Sequence, residues 1–257
     1  MKKYLISLDK DAHRRELFFA QPDTRDFRVF SAINTMAETD EKLTALFAAD
    51  EFARRYGRAV TKGEIGCTLS HLAVYRLIAA DDGIAADEYC LICEDDALLA
   101  PAFQANLDCI IRQRIGADII LIGQSKIPAF NHWELEINYP TTLSCLRRPI
   151  SGCAFKYAYP YRNYFAGTVA YLIRKSALGA FLSQPQRPFW LADDYILFGD
   201  QFGLDIAVIR PLMVIENPQL TSNLETLRGS LQHNIWQKLL KYPAKKCLAV
   251  KRNLGKR

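Results

Sequence analysis

No run of apolar residues in this 257-residue chain approaches the roughly 18–20 that a helix needs to cross a bilayer, so a helical membrane span is excluded. No glycine-rich phosphate-binding loop is present, which weighs against the common phosphoryl-transfer folds. No segment repeats, which excludes solenoids and propellers. After Met1-Lys2-Lys3 only Tyr4-Leu5-Ile6 precede Ser7 and Asp9, too short a core for a secretory signal. The expectation is therefore a cytoplasmic chain. The seven cysteines, at 67, 90, 93, 109, 145, 153 and 247, are odd in number and scattered, and in a reducing compartment they read as small buried apolar residues. Cys90-x-x-Cys93 has redox-motif spacing, but on a strand the two side chains point to opposite faces.

Half of the residues are apolar and 24% are charged, enough to bury a sizeable core in one large or two small domains. Acidic residues are missing from Arg228 onward, where nine Lys and Arg stand with no Asp or Glu. The rest holds 24 basic and 28 acidic residues, so the overall charge of +5 conceals an acidic body of net −4 with a basic tail. This distribution argues against a nucleic-acid-binding body and points the tail at an anionic partner.

Residues 3–8 read as a strand, 11–18 as a helix, 27–33 as a strand and 40–56 as one helix. Thr61-x-x-Glu64 has capping-box spacing and opens a helix that ends near Asp81-Asp82-Gly83. The apolar run Tyr89–Cys93 reads as a buried strand, 101–114 as a helix begun by Pro101, and 118–122 as a strand. Residues 123–164 show no steady period. A strand is expected at 164–173, a helix at 176–182 capped by Ser176, a short helix from Asp193-Asp194 and a strand at 206–209. Alternating strands and helices over residues 1–122 imply an α/β layer fold with a mostly parallel sheet.

The most informative segment is Glu94-Asp95-Asp96, three carboxylates directly after a buried strand. Ligands of open α/β sheets sit beyond the carboxyl ends of the strands. Adjacent like charges need either full solvation or a compensating cation, and a hard divalent ion such as Mg²⁺ or Mn²⁺ suits oxygen donors and bridges to phosphate. Both readings are open on sequence alone. With strand geometry continued, Glu94 and Asp96 share one side and Asp95 takes the other. Asp193-Asp194 suits a helix cap, a role that does not exclude a catalytic one. Arg14 and Arg15 follow the first strand, where a nucleotide contact or a solvated surface would each account for them. Tyr157, Tyr159, Tyr161 and Arg162 fall in an aromatic, Arg-bearing stretch that also holds Arg147 and Arg148. It suits either an acceptor-binding loop, with the arginines meeting acceptor phosphates, or a hairpin whose rings cover the core. From Gly229, Leu231, Ile235, Trp236, Leu239 and Leu240 form an apolar stripe beside Lys238 and Lys241, interrupted by Pro243 and followed by Lys245, Lys246, Lys251, Arg252, Lys256 and Arg257. That pattern fits an anionic membrane surface or a solvated tail.

Gly63-Glu64-Ile65-Gly66-Cys67-Thr68-Leu69-Ser70-His71 resembles the Gly-Glu-x-Gly-Cys-x-x-Ser-His motif of glycosyltransferase family 25, the lipooligosaccharide galactosyl- and glucosyltransferases of Gram-negative bacteria. Leu91–Ala97, Gly167–Ile173 and Asp193-Asp194-Tyr195 resemble its later motifs in the same order, so the resemblance spans about residues 3–225. The chain departs at Ile6-Ser7-Leu8, where the family usually carries Ile-Asn-Leu. The resemblance implies a GT-A-like fold, a single Rossmann-type nucleotide-binding sheet merged with an acceptor-binding half. The donor half would cover about 1–122, the acceptor half about 123–227, and the basic tail 228–257.

It also implies an inverting transfer of galactose or glucose from UDP-galactose or UDP-glucose to a lipooligosaccharide or lipopolysaccharide core, commonly through a β-1,4 linkage. The enzyme would lie on the cytoplasmic face of the inner membrane. Asp96 and Glu94 would hold Mn²⁺ or Mg²⁺. Ser7, Leu8, Arg14, Glu64, Ser70, His71, Glu94, Asp95, Gly167 and Thr168 would contact the donor. Tyr157, Tyr159, Tyr161 and Arg162 would contact the acceptor, and Asp193 or Asp194 would be the general base. The alternatives are a metal-dependent phosphoryl or nucleotidyl transferase and a non-catalytic, membrane-associated glycan binder.

Overall fold

A computed structural model describes residues 1–163, 165–220 and 235–255. In chain order the strands are β1 (Lys3–Ser7), β2 (Phe27–Ser31), β3 (Tyr89–Glu94), β4 (Ala97–Leu99), β5 (Ile119–Leu121), β6 (Gly123–Gln124), β7 (Arg148–Pro149), β8 (Lys156–Ala158), β9 (Ala170–Arg174), β10 (Ile206–Arg210) and β11 (Val214–Glu216). The helices are α1 (Ala12–Phe19), α2 (Asp40–Leu46), α3 (Ala49–Tyr56), α4 (Lys62–Ala79), α5 (Phe103–Arg112), α6 (Glu134–Asn138), α7 (Gly179–Leu182), α8 (Tyr195–Asp200) and α9 (Ile235–Gly255).

An eight-stranded sheet in the order β2-β1-β3-β9-β5-β10-β8-β7 forms the centre, and β4-β11-β6 form a small second sheet. β1 pairs in parallel with β2 and β3, and β5 with β10. β9 is inserted antiparallel between β3 and β5, so the sheet is mixed and the expected mostly parallel pairing is corrected. Strands from before and after residue 122 share this one sheet.

The sheet is buried on both faces. Cys90 and Ile92 of β3 face the core built with Leu72, Tyr75 and Ile78 of α4, together with Phe181 of α7 and Phe198 of α8. Leu91 and Cys93 face the core built with Phe18 of α1 and with Phe103, Leu107 and Ile110 of α5. The two cysteines therefore do point apart. Burial raises both thiols above the ordinary range, Cys90 to about 11, which keeps them protonated and inert.

Several local expectations change. The single helix over 40–56 is two, broken where Phe47 turns into an extended conformation and buries its ring. α5 begins at Phe103 rather than Pro101, after Ala102 at φ 54°. β9 begins only at Ala170, because Gly167 at φ +84° turns the chain before it. A 3-10 turn over Lys175–Leu178 replaces the helix start expected at Ser176. Residues 148–158 form the short β7–β8 hairpin. Pro243 lies inside α9 and does not end it.

The basic segment is neither free nor solvated throughout. Lys246 pairs with Glu136 at 3.0 Å and donates to the Thr142 carbonyl, Arg252 donates to the Pro160 carbonyl, and the Asn253 amide bonds both the N–H and the C=O of Tyr159. Ala249 is fully buried. Glu136 also pairs with Arg147 at 2.8 Å and Arg210 at 3.1 Å. Leu231 lies outside the described residues, as do Lys256 and Arg257.

Candidate functional site

The carboxyl ends of β1 and β3 and the amino end of the antiparallel β9 come together at one sheet edge. α4 closes it from the side. Its first turn is fixed by the predicted capping box, with Glu64 N–H donating to Thr61 Oγ1 at 3.3 Å and Thr61 N–H donating to the Glu64 carboxylate at 2.8 Å. The Glu64 carboxylate also accepts from Arg58 at 2.6 and 2.9 Å, so its oxygens are engaged in holding the helix start. Gly66 lets the helix backbone approach the segment after β2. A Cβ there would stand 2.6 Å from Thr35 Oγ1 and 2.7 Å from the Ile33 carbonyl. Ser70 supports the same contact by accepting from the Ile33 N–H at 2.8 Å.

Between these elements lies a cleft of about 330 Å³. Ser7 and Leu8 at the end of β1, Arg14 of α1, and Cys67, Ser70 and His71 of α4 line it, with Glu94, Asp95 and Asp96 at its floor. The structure thus gathers most of the residues singled out as donor- or metal-binding. The triplet is not a solvated loop, since Asp95 and Asp96 are only 6% and 7% exposed. Strand geometry stops at Glu94, and the following turn sets Asp95 and Asp96 together, which corrects the expected alternation. Arg14 spans both, with Nε 2.6 Å from Asp95 Oδ1 and Nη2 2.8 Å from Asp96 Oδ2. Arg14 is thus a built-in counter-charge. Ser7 Oγ donates to Asp95 Oδ2 at 2.6 Å, so the short residue at the departure from the family pattern serves the carboxylate cluster. Arg15 donates to Ser7 Oγ and to the carbonyls of Leu8 and Asp9, bracing the β1–α1 turn.

Glu94 faces α4 instead. Its Oε1 accepts from the Thr168 hydroxyl and lies 3.3 Å from His71 Nε2. His71 Nδ1 is 2.6 Å from the Tyr171 hydroxyl, which is 2.8 Å from that of Tyr75. A polar chain therefore runs from the core to the cleft. Burial drives the carboxyl of Glu94 upward, but its bond to His71, the Thr168 hydroxyl and the charge of Arg14 outweigh that and hold it below the ordinary range. Asp96 behaves oppositely. Burial, reinforced by the charge of Glu94 and less strongly by Glu216 and Asp95, pushes it to about 8 against the pull of Arg14. Asp96 Oδ1 is buried without a hydrogen-bond partner. Such an orphaned oxygen beside further carboxylates fits a hard divalent cation.

The late acidic pair divides its roles. Asp194 caps α8 by accepting from Leu197 N–H at 3.0 Å, and its other oxygen accepts from Arg55 at 2.8 Å and from the Tyr56 hydroxyl at 2.5 Å. Asp193 accepts from the Gly167 N–H at 2.7 Å. It is thereby tied to the turn that carries Thr168 to Glu94. Gly167 is obligatory there, because a Cβ would overlap Ser125 Oγ at 2.0 Å.

The residues read as acceptor-binding sit elsewhere. Tyr157 and Tyr159 belong to the hairpin edge and pack on the core, each under the Arg148 guanidinium, and Tyr159 also anchors α9. Arg162 lies 3.7 Å from Asp200 at the surface, and together they border a second, polar cleft of about 280 Å³ with Arg252. Tyr161 is half-buried. Three contributors escaped sequence reasoning. Cys67 was in view only as part of a motif, Tyr171 as a strand residue, and Arg55 not at all, because its partner lies 139 positions away.

The sequence profile of a family described as glycosyltransferase family 25 (LPS biosynthesis protein) matches residues 1–197. A protein of Aedes aegypti described as a glycosyltransferase 25 family member is similar at 29% identity over 132 residues, which is 48% of this chain and 21% of that protein. The chain therefore matches only about a fifth of that relative's length. A solved structure described as the inositol-1-phosphate CTP transferase from T. maritima aligns at 13% identity and a TM-score of 0.40, covering 88% of this chain and 94% of that one.

Proposed function

From the premise that this chain belongs to glycosyltransferase family 25, an LPS biosynthesis family, we propose that it is an inverting, metal-dependent hexosyltransferase. It moves galactose or glucose from a UDP-sugar to a lipopolysaccharide or lipooligosaccharide core, forming a β-1,4 bond on a GT-A-like scaffold. The observation that carries this reading is the orphaned Asp96 Oδ1, buried in a cleft beyond the ends of two parallel strands. Asp96 is the leading ligand for Mn²⁺ or Mg²⁺ and Glu94 the second, and the bound ion would neutralise the departing diphosphate. Ser7 and Arg14 fix the Asp95 carboxylate beside it.

Asp193 accepts the proton of the attacking acceptor hydroxyl. Supporting that choice, Asp193 is held by the Gly167 N–H to the turn that carries Thr168 to Glu94, whereas Asp194 caps α8. A donor screen tests the function. UDP-galactose or UDP-glucose with Mn²⁺ should release UDP in the presence of a core oligosaccharide, and UDP-GlcNAc or UDP-GalNAc should not. Calorimetry that finds no UDP binding with excess Mn²⁺ would overturn the proposal.

The acceptor class also gives α9 a task. No helix among the described residues is long and apolar enough to cross a membrane. The outward side of α9 shows Leu240 at 84% and Leu248 at 50% exposure, alongside exposed Lys241 and Lys251. Each cation near an anionic bilayer contributes about 1 kcal/mol, so a few suffice for reversible attachment. The chain should cosediment with vesicles of anionic phospholipid at low salt, release at high salt, and lose most binding in Leu240→Glu.

A further inference from the structure

Cys67 and His71 lie one helical turn apart on α4, and Glu94 ends β3 opposite them. One donor atom from each, a thiol sulfur, an imidazole nitrogen and a carboxylate oxygen, lies within 4.8 Å of the other two. His71 Nε2 is 3.3 Å from Glu94 Oε1, and Cys67 Sγ is 3.9 Å from the same oxygen. Tetrahedral zinc with ordinary bond lengths places nitrogen and oxygen donors about 3.3 Å apart and sulfur and oxygen donors about 3.6 Å apart. The three side chains are therefore close to ligating geometry without moving a helix or a strand.

The surroundings suit an ion. With its proton on Nδ1, His71 donates to the Tyr171 hydroxyl at 2.6 Å, and that hydroxyl continues to Tyr75. Nε2, whose proton bonds Glu94 in the metal-free protein, is then left with a lone pair for the ion. A hydrogen-bonded second nitrogen of this kind orients ligating histidines generally. All three residues line the cleft, so a coordination position remains for water or a ligand from that side. A thiolate with an imidazole and one carboxylate selects zinc-class ions over Mg²⁺, whereas the all-oxygen set around Asp96 does the reverse.

We propose that Cys67, His71 and Glu94 form a binding site for a borderline-soft divalent cation of the zinc class, which adjoins the hard-ion position at Asp96 and shares Glu94 with it. Binding releases the Cys67 thiol proton to solvent and forms sulfur, nitrogen and oxygen bonds to the ion. The site does not depend on the identity of the sugar donor, and its test uses neither donor nor acceptor.

Metal-free full-length protein is titrated with Co²⁺ and then with Zn²⁺. A near-ultraviolet thiolate-to-cobalt band should grow to one equivalent and vanish as Zn²⁺ displaces the cobalt. Cys67→Ser should abolish the band, His71→Gln should weaken binding by about tenfold or more, and Asp96→Asn should retain it. The unmodified protein supplies a check that needs no variant. Zn²⁺ should slow iodoacetamide labelling of Cys67, read by peptide mass spectrometry, and leave the exposed Cys145 and Cys247 unaffected. A missing band, a band that survives Cys67→Ser, or equal labelling of Cys67 with and without Zn²⁺ would overturn the proposal.

Discussion

Asp96→Asn is expected to lower kcat by about 10²–10³-fold, the usual cost of removing one electrostatic stabiliser from a reacting centre, while Tm stays level or rises. The two effects have one origin. Asp96 is 7% exposed and its Oδ1 has no partner. Burial raises its carboxyl to about 8, far above the value of an unfolded chain. At neutral pH the fold therefore disfavours the ionised form, and a neutral amide of the same shape removes that penalty. Arg14 keeps its bond to Asp95 in the variant. Donor turnover and thermal melts on one preparation check the pair of outcomes. A several-degree fall in Tm with kcat merely halved would make Asp96 a partner of Arg14 and nothing more.

The second large effect separates two neighbours. Asp193→Asn should reduce kcat by about 10²–10⁴-fold, the range for loss of a general base, with little change in Tm. Asp194→Ala should do the reverse. It removes the cap of α8 and the acceptor for Arg55 and Tyr56. The cap alone is worth about 0.5–2 kcal/mol, and each kcal/mol shifts Tm by about 2–4 °C at this chain length. kcat for the second variant should stay close to that of the parent. The opposite pattern would transfer the proposed base to Asp194.

Much of this cleft is legible in the sequence alone. A continuous apolar run ending in three carboxylates marks a strand that delivers charge to a sheet edge, and the Thr61–Glu64 box marks the helix beside it. What remained hidden was non-local. Nothing near residue 170 announces that β9 inserts antiparallel between β3 and β5, because register depends on partners far away in the chain. Asp193 and Asp194 are chemically identical, and partners far away in the chain, Gly167 for the first and Arg55 and Tyr56 for the second, help to distinguish them. The pairing of Arg14 with Asp95 and Asp96 was hidden because the two carboxylates come together only after the chain turns at the end of β3. The basic segment read as a stripe for a membrane or as a solvated tail, and its attachment through Ala249 and Asn253 was invisible because neither residue stands out in sequence.

The missing side chain at position 66 has a mechanical consequence. With the α4 backbone resting against Ile33 and Thr35, the wall formed by residues 32–36 cannot recede from the helix or lean closer without breaking that seat. The width of the cleft on this side is thus gauged by a single hydrogen atom. Any methyl group installed there acts as a wedge between the helix and that wall.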